Sequence, residues 1–220
     1  MEVIISDKIR TAAPKYFMVL VEADVVNTQT SDELWHEIEE YSAFLRSSME
    51  VSLVNKRPGI AATRQAYKAC GKDPNRYRPA SESLCRRVVK GLELYRIDAL
   101  VDLINLISMQ TGYSIGGFDR DKIQGDVLTL GVGEEGELFE GIGRGVLNIA
   151  GLPVYRDAVG GIGTPTSDNE RTKIDLDTRH LVMCINIYGT DMPVEETVSL
   201  TERLLRQYSS AENISVKIVK

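Results

Sequence analysis

An α+β fold, with helices packed around mixed sheets, is the architecture this 220-residue sequence predicts. Two observations carry that expectation. From residue 30 to residue 112 the chain reads mainly as helices, whereas from Tyr113 to Tyr188 it breaks into short β-prone pieces. Glycine turns separate those pieces, at Gly116-Gly117, Gly141-Ile142-Gly143 and Gly160-Gly161. Runs of helix followed by runs of strand point to segregated layers rather than to a regular βαβ alternation.

Taken in order, Tyr16 to Val26 (YFMVLVEADVV) is rich in β-branched and aromatic residues and reads as a buried strand. Thr30 and Glu33 then stand at capping-box spacing, and Leu34, Ile38, Tyr41 and Leu45 return on one helical face. Pro58-Gly59 opens a second helix, which Gly71 and Pro74 close. Ser81 to Lys90 reads as a short basic helix ending at Gly91, and Asp98 to Gln110 as a more apolar one ending at Gly112. Strands are expected at 127–130 (VLTL) and 181–188 (LVMCINIY), a helix from Val194 to Tyr208, and a last alternating strand at 214–219 (ISVKIV). There is no internal repeat and no convincing linker, so a single domain over 1–220 is expected.

Composition narrows the function classes. Hydrophobic residues make up 43 % and charged residues 26 %, enough for a packed core. No apolar run approaches the ~20 residues needed to span a bilayer. Three cysteines, Cys70, Cys85 and Cys184, are odd in number and far apart, which fits reduced thiols in a cytoplasmic protein. With His36 and His180 the only histidines, no spacing suggests a zinc site, so neither a metal nor another cofactor is expected. The net charge of −6 argues against indiscriminate nucleic-acid binding, yet the charge is uneven. Between Lys56 and Arg96 there are 11 Lys and Arg against Asp73, Glu82 and Glu93, a local balance of +8 that leaves −14 elsewhere. A basic segment on an acidic body can put phosphate contacts on one face. Helices with solvated basic faces account for it equally well.

Three segments hold the residue types that chemistry needs. In VDLINLISMQTGYSIGGFDRDKIQGD, Val101 to Asp126, Asn105 sits inside an apolar helix, where its amide needs partners if buried. Asp119 follows a glycine pair that lets the backbone approach something closely. In RDAVGGIGTPTSDNERTKID, Arg156 to Asp175, the residues Arg156, Asp157, Thr164, Thr166, Asp168, Glu170, Arg171 and Thr172 crowd around three glycines and a proline. Such a loop can present backbone N–H groups to an oxyanion and carboxylates to a water, or simply cap itself as a long polar hairpin. In DPNRYRPASESLCRRVVKG, Asp73 to Gly91, the cations Arg76, Arg78, Arg86, Arg87 and Lys90 interleave with Tyr77, a composition suited to phosphate contact and base stacking. Arg86 and Arg87 could equally pair with acids inside the fold. No GxSxG elbow, P-loop or HExxH is present.

Read together, these segments resemble the B3/B4 tRNA-editing domain of the phenylalanyl-tRNA synthetase beta subunit. The residues that carry the resemblance are Arg86-Arg87, Val101-Asp102-Leu103-Ile104-Asn105, Gly116-Gly117-Phe118-Asp119, Lys122, Gly125, Gly160-Gly161 and Thr178-Arg179-His180, and the likeness is strongest over 75–190. In the synthetase this domain hydrolyses tyrosine wrongly esterified to the phenylalanine tRNA. The resemblance therefore implies water attacking an aminoacyl ester at a tRNA 3′ end, without a cofactor. Asn105 and Gly116 would lie at the amino-acid pocket and the Gly160-Gly161 backbone against the substrate. Two departures stand out: the family's histidine falls on Gly116, and its pocket glutamate on Cys184. The segment Thr164 to Thr172 resembles a signature of stand-alone members. Its Asp168 or Glu170 would orient the water, and Arg171 would contact the substrate carbonyl or a phosphate. Nothing resembles the synthetase's aminoacylation or anticodon-binding parts.

Two functions follow as expectations. One is a freestanding aminoacyl-tRNA editing hydrolase. The other is a non-catalytic module that binds RNA or an amino-acid-like small molecule. Convergence of Asp168 and Glu170 with Asn105 on one pocket would favour the first.

Overall fold

In a computed structural model that describes residues 1–220, the chain begins with β1 (Glu2–Ile5), α1 (Asp7–Ala12), β2 (Phe17–Asp24) and α2 (Asp32–Ser48). It continues through α3 (Pro58–Ala69), α4 (Ala80–Val89), α5 (Ala99–Thr111), β3 (Ser114–Asp119) and β4 (Val127–Val132). A hairpin of β5 (Glu140–Gly141) and β6 (Gly145–Val146) leads to β7 (Pro153–Arg156), β8 (Gly161–Gly163) and β9 (His180–Ile187). The helix α6 (Val194–Ser209) and the strand β10 (Glu212–Val219) end it. The architecture is α+β, as the helix-then-strand texture predicts.

β2 and β9 are apolar at almost every position, so they have no face to give to water. They pair antiparallel in the middle of a four-stranded sheet ordered β10-β2-β9-β3. Alternate side chains go to opposite sides. Val19, Val21, Leu181, Met183 and Ile185 pack against α2, α4, α5 and α6 through Leu34, Ile38, Cys85, Leu103, Ile107 and Leu204. Met18, Leu20, Val182 and Cys184 pack instead on Leu128, Leu130, Tyr155 and Ile162 of a second sheet, ordered β1-β4-β7-β8. The result is three layers: helices, antiparallel sheet, mixed sheet. No helix is long and apolar enough to cross a membrane, and all three cysteines are free.

Local signals place the helix ends. Asp98 caps α5 by accepting from the Val101 N–H at 2.9 Å, and Gly112 ends it in the left-handed region at φ +75°. The cap of α2 is Ser31, which accepts from Leu34 N–H at 3.2 Å, not Thr30 as the capping-box spacing predicts. Thr30 is buried and donates to Asp102 of α5 instead. The sequence reading also passed over β1 and α1. β1 is four residues long and pairs parallel with β4, some 125 positions away, so no local pattern announces it.

Two ion-pair clusters tie the helices together. Glu82 of α4 has no solvent exposure and receives Arg64 Nη1 of α3 at 2.7 Å and Arg86 Nε at 2.7 Å. Arg57, before α3, binds Asp191 at 3.0 Å and the carbonyls of Met109 and Gln110 at the end of α5. Removing one partner from such a cluster strands the others in a poorly solvated place. Glu82→Ala is therefore expected to lower the unfolding free energy by about 3 kcal/mol, the low end for a broken buried pair because both arginines keep some water. Urea unfolding of the variant beside the parent measures it, and a loss under about 1 kcal/mol would contradict this account.

Candidate functional site

β3 is the outer strand of the antiparallel sheet: β9 pairs with one edge and no strand with the other. That open edge borders a cavity of about 480 Å³. Gln29, the first half of α5 with the two residues before it, the segment 168–176, Ala80 at the start of α4 and Ile142 of the β5–β6 hairpin complete its walls. Ile97, Val101, Ile104, Ile115, Ile142, Ile174 and Leu176 make those walls aliphatic. Gly117 forms the floor. A Cβ there would lie 2.8 Å from Ile104 Cδ1 and 3.0 Å from Ile174 Cδ1, so a side chain would push the walls apart.

Two polar groups in this cavity stand out by their partners. Asn105, on the cavity face of α5, is half-buried and its amide makes no hydrogen bond within the protein, so four bonding positions are open to a ligand. Asp168 sits at the open edge of β3 and its Oδ2 accepts from Gly117 N–H at 3.2 Å. It is held from several directions. Ile142 N–H donates to its carbonyl at 3.0 Å, and it forms an isolated bridge with Gly163. The preceding turn is closed by Thr164, whose hydroxyl accepts from Thr166 and Ser167. Gly163 leaves room for the carboxyl: a Cβ there would be 2.7 Å from Asp168 Oδ1 and 2.5 Å from Phe118. Desolvation dominates the carboxyl's chemistry and pushes its pKa to about 8, against the smaller opposing pull of the Gly117 amide. Asp168 is thus mostly protonated at neutral pH and changes charge just above it.

The other ionisable groups of the cavity are engaged. Asp98 is the α5 cap, and Asp175 binds Lys122. Lys173 pairs with Glu170 at 2.6 Å. Asn27 fixes the rim from below, accepting from Leu100 N–H and donating to Asp175 O. A groove of about 400 Å³ between α2 and α4 and a hollow of about 640 Å³ near Cys70 hold none of the sequence-predicted site residues.

The structure therefore brings Asn105 and Asp168 together and separates the rest of the predicted set. Glu170 points away, accepting from Gly143 N–H at 3.1 Å, and Lys173 holds its carboxyl below the usual range. Arg171 makes a two-pronged pair with Asp157 at 2.8 and 2.9 Å. Burial opposes ionisation of Asp157, but Arg171 and the amides of Gln124, Val159 and Gly160 outweigh it and hold the carboxyl at about 2. Arg156 pairs with Glu137, and Thr166 bonds the buried Tyr67 hydroxyl. Asp119 is buried and accepts from Thr178 and Lys122. Gly160 and Gly161 turn the chain outside the cavity walls, the latter against Phe139. Gly116 faces the second sheet. A Cβ there would be 2.7 Å from the Phe118 ring, so Phe118 occupies the space a histidine would need. Cys184 lies across from Gly116 on that same far side, its thiol pushed up by burial and then by Asp168.

The basic segment divides in the same way. Arg86 is spent on Glu82, and Arg87 on Glu93 O and the Tyr95 ring. Arg76 and Arg78 are exposed and make no side-chain bond, and Lys90 is likewise exposed at the far end of α4. Sequence reasoning missed Lys173, Ile142 and Gly117 as cavity residues. For Gly117 the glycine pair does signal a close backbone approach, but nothing local says what approaches; only the folding of three distant segments onto β3 makes these residues neighbours.

Comparison with known proteins bears on this arrangement. The profile of the B3/4 domain family matches residues 62–205, more than half of the chain and the whole of the cavity's α5, β3 and 168–176 walls. The chain belongs to the B3/4 domain family. Among solved structures, this B3/4 protein is similar to an N-terminal fragment of the phenylalanyl-tRNA synthetase beta-subunit from Pyrococcus horikoshii, at 13 % identity and a TM-score of 0.47. That alignment covers 97 % of the B3/4 protein and 50 % of the fragment, so the chain spans half the fragment's length. No curated protein matches the sequence.

The carboxyl of Asp168 gives a pH signature of its own. Its folded pKa is raised above the unfolded value near 3.9, so its contribution to stability is fully present below about pH 4 and is lost as pH rises through about 8. Asp168→Asn keeps an acceptor for Gly117 N–H but does not titrate. The melting temperature of Asp168→Asn relative to the parent is therefore expected to climb steadily between pH 5 and pH 8. Each kcal/mol is worth about 2–4 °C in a chain of this size. A difference that stays flat over that range would show that Asp168 ionises freely.

Proposed function

We propose that this B3/4 protein is a freestanding aminoacyl-tRNA editing hydrolase that cleaves the ester between an amino acid and the tRNA 3′ end. The observation that supports it is the meeting of Asn105 and Asp168 in one aliphatic-walled cavity large enough to admit an aminoacyl group. Asn105 serves as the amide that binds the aminoacyl group. Asp168, with a carboxyl that titrates just above neutrality, serves as the base that orients the attacking water and takes its proton. The ester is already an activated acyl group, so positioning and one base are a sufficient set of protein groups. Glu170 and Arg171 are not needed at the reacting atoms and are assigned to holding the loop.

The alternative, a binding module without chemistry, draws on a specific observation too. Asp168 is the one carboxyl of the 168–171 cluster that reaches the cavity, with no imidazole beside it. Deacylation of a panel of labelled aminoacyl-tRNAs, with small aminoacyl esters alongside, separates the two. Net of spontaneous hydrolysis, the rate is expected to rise with pH to a plateau above about pH 8. Asp168→Asn is expected to lower it by about 10²–10⁴-fold, the usual contribution of a positioned general base. No acceleration with any ester would leave the binding module.

A further inference from the structure

The guanidinium groups that the fold leaves free are not those of the basic helix. Tyr77 is half-buried and packs, together with Leu147, on the small core of Tyr67, Phe139, Ile149, Leu152 and Val154. Lys72 lies 3.7 Å over the Tyr77 ring and is itself tied to the carbonyls of Asn148 and Ala150. The 72–80 segment and the 139–150 segment are therefore stapled side by side on one core. Both run into the cavity described above, the first through Ala80 and the second through Ile142.

Arg76 and Arg78 flank Tyr77, and Arg144 stands at the tip of the hairpin two residues beyond Ile142. All three are exposed, and none makes a side-chain hydrogen bond or ion pair. Val146 on the same hairpin and Leu138, two residues before it, are apolar side chains exposed almost completely, at 85 % and 86 %. A folded chain of net charge −6 thus gathers unpaired guanidinium groups and bare aliphatic surface on the two segments that lead into one cavity. Unpaired cations suit phosphates, and exposed apolar groups suit the faces of unstacked bases.

We infer that the β5–β6 hairpin and the 76–78 segment form a binding surface for single-stranded nucleic acid at the cavity mouth, with Arg78 and Arg144 on phosphates and Leu138 and Val146 against bases. This rests on the hydrolase reading for its biological use, but the surface itself is defined by the contacts above. Glu140, exposed on the hairpin, and Glu135, close enough to Lys72 to act on its charge, limit affinity there. Arg86 and Arg87, the pair that composition favours, are engaged inside the fold and take no part.

Binding of a labelled short single-stranded oligoribonucleotide, titrated over a series of salt concentrations, tests this. Arg78→Gln and Arg144→Gln are each expected to weaken binding and to reduce the slope of log K against log salt by about 0.7. Val146→Ser is expected to weaken binding with the slope unchanged, and Glu140→Gln to tighten it. Arg87→Gln and Lys90→Gln are expected to leave both affinity and slope at the parent's values. Absence of binding by the parent, or loss confined to the Arg87 and Lys90 variants, overturns the inference. The small-ester assay keeps the two proposals apart: ester hydrolysis without oligonucleotide binding sinks only this surface, and binding without hydrolysis of any ester sinks only the hydrolase.

Discussion

The pairing of β2 with β9 is the constraint from which the other layers follow. Apart from the paired ends Asp24 and His180, both strands are buried or half-buried on both faces, so each side of the sheet must be covered. Each fully buried aliphatic side chain is worth about 1.5–3 kcal/mol, which makes exposure of either face untenable. Helices cover one side and the β1-β4-β7-β8 sheet covers the other. With both faces taken, the room that this sheet itself leaves for a ligand is at its edge, beyond β3.

That edge is where the B3/4 protein departs from a purely structural design. An open strand edge presents unpaired N–H and C=O groups, a liability in a monomeric fold. Here one of those N–H groups, that of Gly117, is met by the Asp168 carboxyl, and the absence of a Cβ at Gly163 leaves room for it. The aliphatic walls then withhold water from the acid, and its proton affinity rises as a consequence. Position and titration therefore have the same cause. The other acids of the same loop show the contrast, because Asp157 and Glu170 each meet a cation and ionise easily.

Reading the chain without its structure went furthest where signals are local. Asp98 and Gly112 bound α5, Pro58 opens α3, and the apolar runs at β2 and β9 declare strands, because caps, prolines and β-branched runs act over a few residues. Ser31 displaced Thr30 as a cap because Thr30 had a buried partner in Asp102, more than seventy residues away. Family resemblance pointed to Asn105 and to the 164–172 loop. It could not say which acid of that loop faces inward, since Asp168 and Glu170 are two apart on an irregular segment and their directions are set by Gly117 and Gly143.

The charge pattern shows the same division. The sequence by itself determined the fold class, the ends of most helices, the two central strands and the presence of a basic segment, all of which depend on residue type and short-range spacing. Tertiary structure alone decided which cations remain free. Glu82 neutralises Arg86 from within α4 and Arg64 from α3, whereas Arg76, Arg78 and Arg144 meet no acid. Electrostatic pairing is a matter of distance through space, and distance through space is fixed only once β3, α4 and the hairpin have packed together.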